Sequence, residues 1–88
     1  MAPGAGEGGT VLVRYFAGAA HAAGTEEEKW DSPGTVGALL EQLAVTHGDD
    51  LARVLAASSF LLDAVAARRE DPLPAGSVLD VLPPFAGG

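Results

Sequence analysis

The sequence predicts an α+β fold in which a mixed β-sheet of about four to five strands carries one main helix across one face. Segments 10–16 and 78–82 are rich in β-branched, aromatic and aliphatic side chains, as β-strands are. Between them, the apolar side chains of segment 36–44 recur at the spacing of an amphipathic helix. The chain has 88 residues, which is enough for one domain, so these elements are expected to share one core.

The first part of the chain is predicted to supply a strand, a short helix and an edge strand. In the first strand, alternation directs Val11, Val13 and Tyr15 to one face and Phe16 to the other. The Ala-rich segment 17–24 is predicted to form one or two helical turns that end at Gly24. Segment 25–30 is predicted to return as a second strand, and its run of glutamates fits a solvated sheet edge.

The main helix is predicted between two clear end signals, because Thr35 can cap its N-terminus and Gly48 can end it. Its apolar stripe consists of Val36, Leu39, Leu40, Leu43 and Ala44. A short second helix is expected from Asp49, followed by a strand over 60–65 and a turn over 71–76. The last strand, 78–82, is expected to place Leu79 and Val81 in the core.

Phe16 and Leu82 are candidate partner-docking residues. By the same alternation, Leu82 lies on the face opposite Leu79 and Val81, so it shares the outer sheet face with Phe16. Together they would form an exposed apolar patch near the end of the last strand, and such patches mark interaction sites. The alternative is that Phe16 packs beneath the 17–24 turn, and the sequence favours neither arrangement.

Composition excludes several classes of function. The net charge is −7, which argues against binding to nucleic acid or to an anionic membrane. The excess of acidic side chains either keeps a small domain soluble or serves docking to a basic partner, and solubility is the simpler interpretation. There is no cysteine, so no disulfide framework or thiolate metal site is expected, and the cytoplasm is the expected location. No metal site is expected at the two histidines either. Residues 1–9 have no signal-peptide pattern and read as a disordered Gly-rich arm.

The end of the chain is its most informative segment. Pro83 and Pro84 follow the last strand and cannot donate ladder hydrogen bonds, so the sheet must stop and the chain continues as a stiff extended segment. From Pro83 to Gly88 the reach is roughly 20 Å, long enough to enter another protein's active site. The last four residues are Phe85, Ala86, Gly87 and Gly88. The two glycines keep this segment narrow, and the functional group is expected to be the main-chain carboxylate of Gly88.

The segment 81–88, Val-Leu-Pro-Pro-Phe-Ala-Gly-Gly, resembles the ending of molybdopterin synthase small subunits, which are ubiquitin-like sulfur carriers. Segment 11–17 is similar to the family's first strand and its Phe-Ala step. Thr35-Val36-x-x-Leu39-Leu40 resembles its helix start, and Pro72-Leu73-x-x-Gly76 the turn before its last strand. The resemblance covers roughly residues 10–88. Asp63 stands where the family commonly carries Asn, so the alignment of residues 60–70 stays open.

This resemblance implies a β-grasp (ubiquitin-like) domain over residues 10–82 with a functional tail over 83–88. It implies that an adenylating enzyme related to ubiquitin-activating enzymes uses ATP to activate Gly88, and that a sulfur donor protein then supplies the sulfur of a thiocarboxylate. In molybdopterin synthase the tail, here Pro83, Pro84, Phe85, Ala86 and Gly87, inserts into the large subunit, where sulfur passes to a pterin precursor. The chain itself would be a non-catalytic carrier that binds no cofactor.

Three alternatives share parts of this reading. Related carriers serve the synthesis of thiamine, cysteine or secondary metabolites and have similar folds. A ubiquitin-like modifier would join Gly88 to lysines after the same activation chemistry. The third is a plain binding domain whose Gly-Gly end is inert. Against it stand three features that precede Gly87, namely the last strand, the proline pair and Phe85.

Overall fold

The computed structural model describes residues 9–84. These residues form five strands and three helices. The strands are β1 (Thr10–Tyr15), β2 (Glu27–Asp31), β3 (Ser59–Leu62), β4 (Val65–Ala66) and β5 (Val78–Leu82). The helices are α1 (Gly18–Ala23), α2 (Val36–His47) and α3 (Asp49–Ala57).

The strands form one five-stranded mixed sheet in the order β2-β1-β5-β3-β4. The last strand, β5, lies in the middle, parallel to β1 and antiparallel to β3. Val13 pairs with Leu79 and Tyr15 with Val81, so the core-facing side chains of the two central strands stand side by side. This confirms the predicted α+β architecture, and its arrangement is that of a β-grasp domain.

The core is confirmed residue by residue. Each of the nine predicted side chains is at most 3% exposed: Val11, Val13, Tyr15, Val36, Leu39, Leu40, Leu43, Leu79 and Val81. Leu51 and Leu55 of α3 complete the core beneath the helices. Leu73 lies in the predicted 71–76 turn, yet its side chain is buried, because Ser32 donates a hydrogen bond to its carbonyl and holds the turn against the domain.

The predicted helix ends are confirmed by their hydrogen bonds. The Thr35 hydroxyl accepts from the main-chain N–H of Ala38 at 3.1 Å, which is N-cap geometry. Gly24 ends α1 in the left-handed region, with φ of 77°, and its N–H donates to the Ala20 carbonyl. Gly48 ends α2 with φ of 99°, a conformation that an L side chain would strain.

The prediction of one strand over residues 60–65 is wrong, because the chain turns at Asp63 and Ala64. Both have positive φ, 48° and 70°, and the two-residue turn joins β3 to β4 as an antiparallel hairpin. The usual glycine of such turns is missing. Instead the Asp63 carboxylate accepts a hydrogen bond from the main-chain N–H of Val78 at 2.9 Å, which ties the turn to β5.

The second strand also differs from its prediction, since it spans Glu27–Asp31 instead of 25–30. The Thr25 hydroxyl donates to the Glu27 carbonyl and closes a turn before the strand begins. The predicted place of β2 at the edge of the sheet is confirmed. Within residues 9–84, no helix combines the length and apolar character that crossing a membrane requires.

Candidate functional site

The point where the chain leaves the sheet lies at the end of β5. Leu82 is still paired with Ser59 of β3, whereas Pro83 and Pro84 belong to no strand, as their missing N–H groups predict. Beside them is a groove lined by the start of α1 at Ala17 and Gly18 and by Arg53, Val54 and Ala57 of α3. Phe85, Ala86, Gly87 and Gly88 lie outside the described residues, so their predicted role stays a prediction.

The two candidate docking residues stand next to each other on the outer sheet face. The N–H of Phe16 donates to the Val81 carbonyl at 3.2 Å, the last bond of the β1–β5 ladder. Continuing the register by one residue sets Phe16 opposite Leu82. Phe16 is 41% exposed, and Leu82 is half-buried. The structure therefore favours the exposed-patch arrangement, while its use in docking stays a prediction.

An ion pair occupies the centre of the same face. The Arg14 guanidinium donates from Nε to Asp80 Oδ1 at 2.6 Å and from Nη2 to Oδ2 at 3.0 Å. Arg14 and Asp80 are register partners in the parallel β1–β5 ladder, and Asp80 is only 7% exposed. The hydrogen bond and the charge of Asp80 raise the pKa of Arg14. The guanidinium also lies 5.8 Å from the centre of the Phe16 ring, so the Arg14–Asp80 ion pair helps to fix the orientation of that ring.

Neither Arg14 nor Asp80 was singled out from the sequence. Alternation alone could have placed both side chains on this face. Their contact depends on β5 lying parallel to β1 in a particular register, and a single strand pattern carries no information on register.

Carboxylates border the patch on the side of β2. A cleft beside Phe16 is lined by Arg14, Ala17 and Ala20 and by the exposed Glu26 and Glu27. An apolar patch next to acidic side chains is complementary to a partner that presents apolar and basic groups together. Docking to a basic partner was one of the two interpretations of the net charge of −7.

A second polar cluster lies on the helix-covered side of the sheet. The Tyr15 hydroxyl donates to Glu28 Oε2 at 2.5 Å, and His47 Nε2 is 2.6 Å from the same oxygen. Burial acts to raise the pKa of Glu28, but the hydrogen bonds from Tyr15 and His47 outweigh it and hold this pKa below its usual value. Burial and the Glu28 contact raise the pKa of Tyr15. The cluster ties the end of α2 to the sheet.

The contact between His47 and Glu28 was not predicted from the sequence. No spacing signal joins residues 28 and 47, since the contact follows from how α2 crosses the sheet. Among residues 9–84, no group of three or more His, Asp or Glu side chains has the geometry to hold a metal ion. The described part of the candidate site is thus an exposed apolar patch, bordered by carboxylates, beside the point where the chain leaves the sheet.

Comparison with known proteins agrees with this geometry. The family model described as the ThiS family matches residues 13–88. The chain belongs to the ThiS family. This match extends from β1 through the tail and includes Gly87 and Gly88, and no curated protein sequence matches the chain.

Solved structures similar to this ThiS-family chain are ubiquitin-like proteins. SAMP1, small archaeal modifier protein 1 from Haloferax volcanii, is 30% identical with a TM-score of 0.79, over 91% of this chain and 100% of that one. Molybdopterin converting factor subunit 1 from Pyrococcus furiosus has the same fold, with 24% identity and a TM-score of 0.78, over 89% and 100% of the two chains. A complex of subunits 1 and 2 of the molybdopterin-converting factor from Helicobacter pylori matches at 23% identity and a TM-score of 0.62, over 90% and 99%.

These findings confirm that the chain is a ubiquitin-like protein of the sulfur-carrier and modifier group. They also confirm the β-grasp fold that the resemblance implied.

Proposed function

We propose that this chain is the small, sulfur-carrying subunit of a molybdopterin synthase and that the carboxylate of Gly88 is its functional group. One observation carries the proposal. The central strand of the sheet, β5, leads directly into Pro83 and Pro84, and the exposed Phe16 stands beside the last residue of that strand. A partner that docks on this face would meet the tail where it leaves the domain.

The chemistry begins outside this chain. An adenylating enzyme supplies ATP, a Gly88 carboxylate oxygen attacks the α-phosphate, and pyrophosphate leaves. Hydrosulfide, delivered by a sulfur donor protein, then attacks the acyl carbon. The carbon–oxygen bond to AMP breaks, and a thiocarboxylate remains. No oxidant is consumed, and the domain contributes only the carboxylate and the docking surface.

The partners follow from this scheme. They are an adenylating enzyme, a sulfur donor protein and the large subunit of molybdopterin synthase. The Helicobacter pylori complex, in which a protein of the same fold is bound to subunit 2, supports the large subunit as a partner. The tail, Pro83 to Gly87, would enter the large subunit while the Phe16–Leu82 patch rests on its surface.

The test is intact-mass spectrometry of the full chain after incubation with ATP, sulfide and an adenylating enzyme of this class. Conversion of the Gly88 carboxylate to a thiocarboxylate should add about 16 Da. A chain lacking Gly88 and a chain extended by one alanine are the controls, and neither should gain this mass or support product formation. Product formation by either control would overturn the proposal.

A second candidate is a protein modifier, because the 30% identical protein from Haloferax volcanii is called a modifier. Its activation step would be the same, so the product decides between the two. Isopeptide linkage of Gly88 to lysines of other proteins, found by peptide mass spectrometry, would support the modifier. A free thiocarboxylate consumed by the large subunit would support the carrier.

A further inference from the structure

The sheet edge formed by β2 carries a second exposed apolar surface, two strands away from β5. A shallow groove of about 420 Å³ runs between β2 and α2. Trp30 lines it from β2, and Ala38, Glu41 and Val45 line it from α2. Val45 is 85% exposed, and Trp30 is half-buried because it also packs against the core, so one exposed and one partly exposed apolar side chain line the groove.

The main chain of β2 offers hydrogen-bonding groups along this groove. The bonds from Tyr15 N–H to the Glu26 carbonyl and from Ser32 N–H to the Gly9 carbonyl show which residues bond to β1. Alternation from these residues means that Glu28 and Trp30 also bond toward β1. The N–H and C=O groups of Lys29 therefore point to the outer edge, where a further strand can pair with them.

Charge decides what kind of strand this edge accepts. Glu27 and Asp31 project from the outer face of β2, and Glu41 lines the groove, whereas Lys29 is the one cation of the strand. Glu28 is turned to Tyr15 and His47. Pairing with β2 of a second copy would bring like charges together, which disfavours it. A segment with basic side chains is attracted.

We propose that the β2 edge and the adjoining groove bind an extended peptide in which apolar residues alternate with lysine or arginine. The peptide adds to the sheet as a strand beside β2 and pairs with the main chain of Lys29. Because strand side chains alternate between faces, its apolar side chains enter the groove against Trp30 and Val45. Its basic side chains then lie on the other face, where Glu27 and Asp31 flank Lys29 and the two carboxylates outweigh the one cation between them.

Trp30 gives a direct measurement, since it is the one tryptophan of the sequence. Its fluorescence is followed while the full chain is titrated with a short capped peptide in which valine and lysine alternate. A saturable change that weakens with added salt is expected. The matched control peptide alternates valine with glutamate and should cause no saturable change.

Matched variants locate the binding site. V45K removes an apolar contact and adds a repelling charge, so it should weaken peptide binding roughly tenfold. V65K changes a comparably exposed valine on β4, at the opposite edge of the sheet, and should leave binding unchanged. K29P removes an outward N–H without removing a bond to β1, and it should weaken binding as well.

Thermal unfolding of each variant is measured alongside, and if K29P fails to fold, the V45K and V65K pair decides. Equal binding of both peptides, or equal effects of V45K and V65K, would overturn the proposal. So would a dimer of the free protein that V45K abolishes, because the edge would then belong to a second copy. The inference does not rest on the tail, and deletion of Gly87 and Gly88 should leave peptide binding unchanged.

Discussion

Single residues set the local energetics of this domain, and the β3–β4 turn shows it most directly. Asp63 and Ala64 both hold positive φ. Aspartate tolerates this region and gains a hydrogen bond from the Val78 N–H. Ala64 has no comparable compensation, because its methyl group crowds the main chain in this conformation. Within this turn, the unfavourable conformational energy is therefore concentrated at Ala64.

Replacing Ala64 by glycine should stabilise the protein. The left-handed conformation costs an alanine roughly 1–2 kcal/mol, and glycine loses roughly 0.5–1 kcal/mol more conformational entropy, so A64G should gain about 0.5–1 kcal/mol. Urea denaturation measures the difference. A66G, in the neighbouring strand β4, removes a side chain where no strain exists and should not stabilise. A64G less stable than the parent would contradict the strain argument.

Burial at Leu43 predicts the opposite outcome. Its side chain lies on the buried face of α2 and is fully buried, so L43A should lower the free energy of unfolding by about 2–5 kcal/mol. V45A on the same helix truncates a side chain that is 85% exposed and should change stability by less than about 0.5 kcal/mol. Chemical denaturation of the pair checks the assignment, and equal losses would refute it.

At the scale of elements, the Tyr15–Glu28–His47 cluster joins β1, β2 and the end of α2. Hydrogen bonds hold the pKa of Glu28 below its usual value, so the folded state binds the proton more weakly than the unfolded chain does. A carboxyl of this kind contributes stability above its unfolded pKa. The contribution is lost as pH falls through the lower folded pKa.

Because the pKa of Glu28 is lowered in the folded state, the protein should lose stability in acid. The free energy of unfolding should fall as pH decreases below about 4, near the ordinary glutamate pKa, and E28Q should show a shallower decline there. Denaturation curves across this pH range provide the measurement. E41Q, on the exposed side of α2, is the matched control and should keep the parent's slope. An unchanged slope in E28Q would show that other carboxyl groups dominate.

Elements with strong local signals could be predicted from the sequence, and those without them could not. Thr35, Gly24 and Gly48 mark helix ends through hydrogen bonds to residues close in sequence. The β3–β4 hairpin was missed because Asp63-Ala64 lacks the glycine that normally announces such a turn. Ser59–Ala66 therefore reads as continuous apolar sequence with one aspartate.

At the scale of the whole molecule, we expect the Phe16–Leu82 patch and the tail to act together. F16D should weaken association with the adenylating enzyme or the large subunit at least roughly tenfold, since it places a charge in the apolar patch. The fold should persist because Phe16 lies outside the core. V65D, at the far sheet edge, is the control. Calorimetric titration measures both, and unchanged affinity of a folded F16D would remove the docking role from Phe16.

The tail is tested by G87V. A β-branched side chain at this position should block entry into a narrow partner channel and lower sulfur transfer by roughly 10²-fold or more. Its unfolding temperature should match that of the parent, because the buried core found among residues 9–84 lies within residues 11–81. Single-turnover transfer assays and thermal unfolding together make the measurement. Normal transfer by G87V would rule out tight insertion at this position.

The location of the candidate site could be predicted, whereas its internal contacts could not. The tail motif and the alternation of Phe16 and Leu82 are visible in the chain itself. The Arg14–Asp80 pair joins residues 66 positions apart, and the His47–Glu28 contact joins two elements that meet only after folding. Such contacts depend on register and helix placement, which local sequence patterns do not encode.

The parallel pairing of β1 with β5 has a mechanical consequence. In a parallel pair, the start of β1 at Thr10 and the end of β5 at Leu82 lie at opposite ends of the ladder. A force applied between these points stretches all the ladder bonds at once, in shear, instead of opening them one after another. Neighbours on both sides brace β5 as well. An enzyme that binds the tail and exerts a pulling force therefore loads the β1–β5 ladder in shear, the direction in which the ladder resists most. The domain would move as a folded unit before it unfolded.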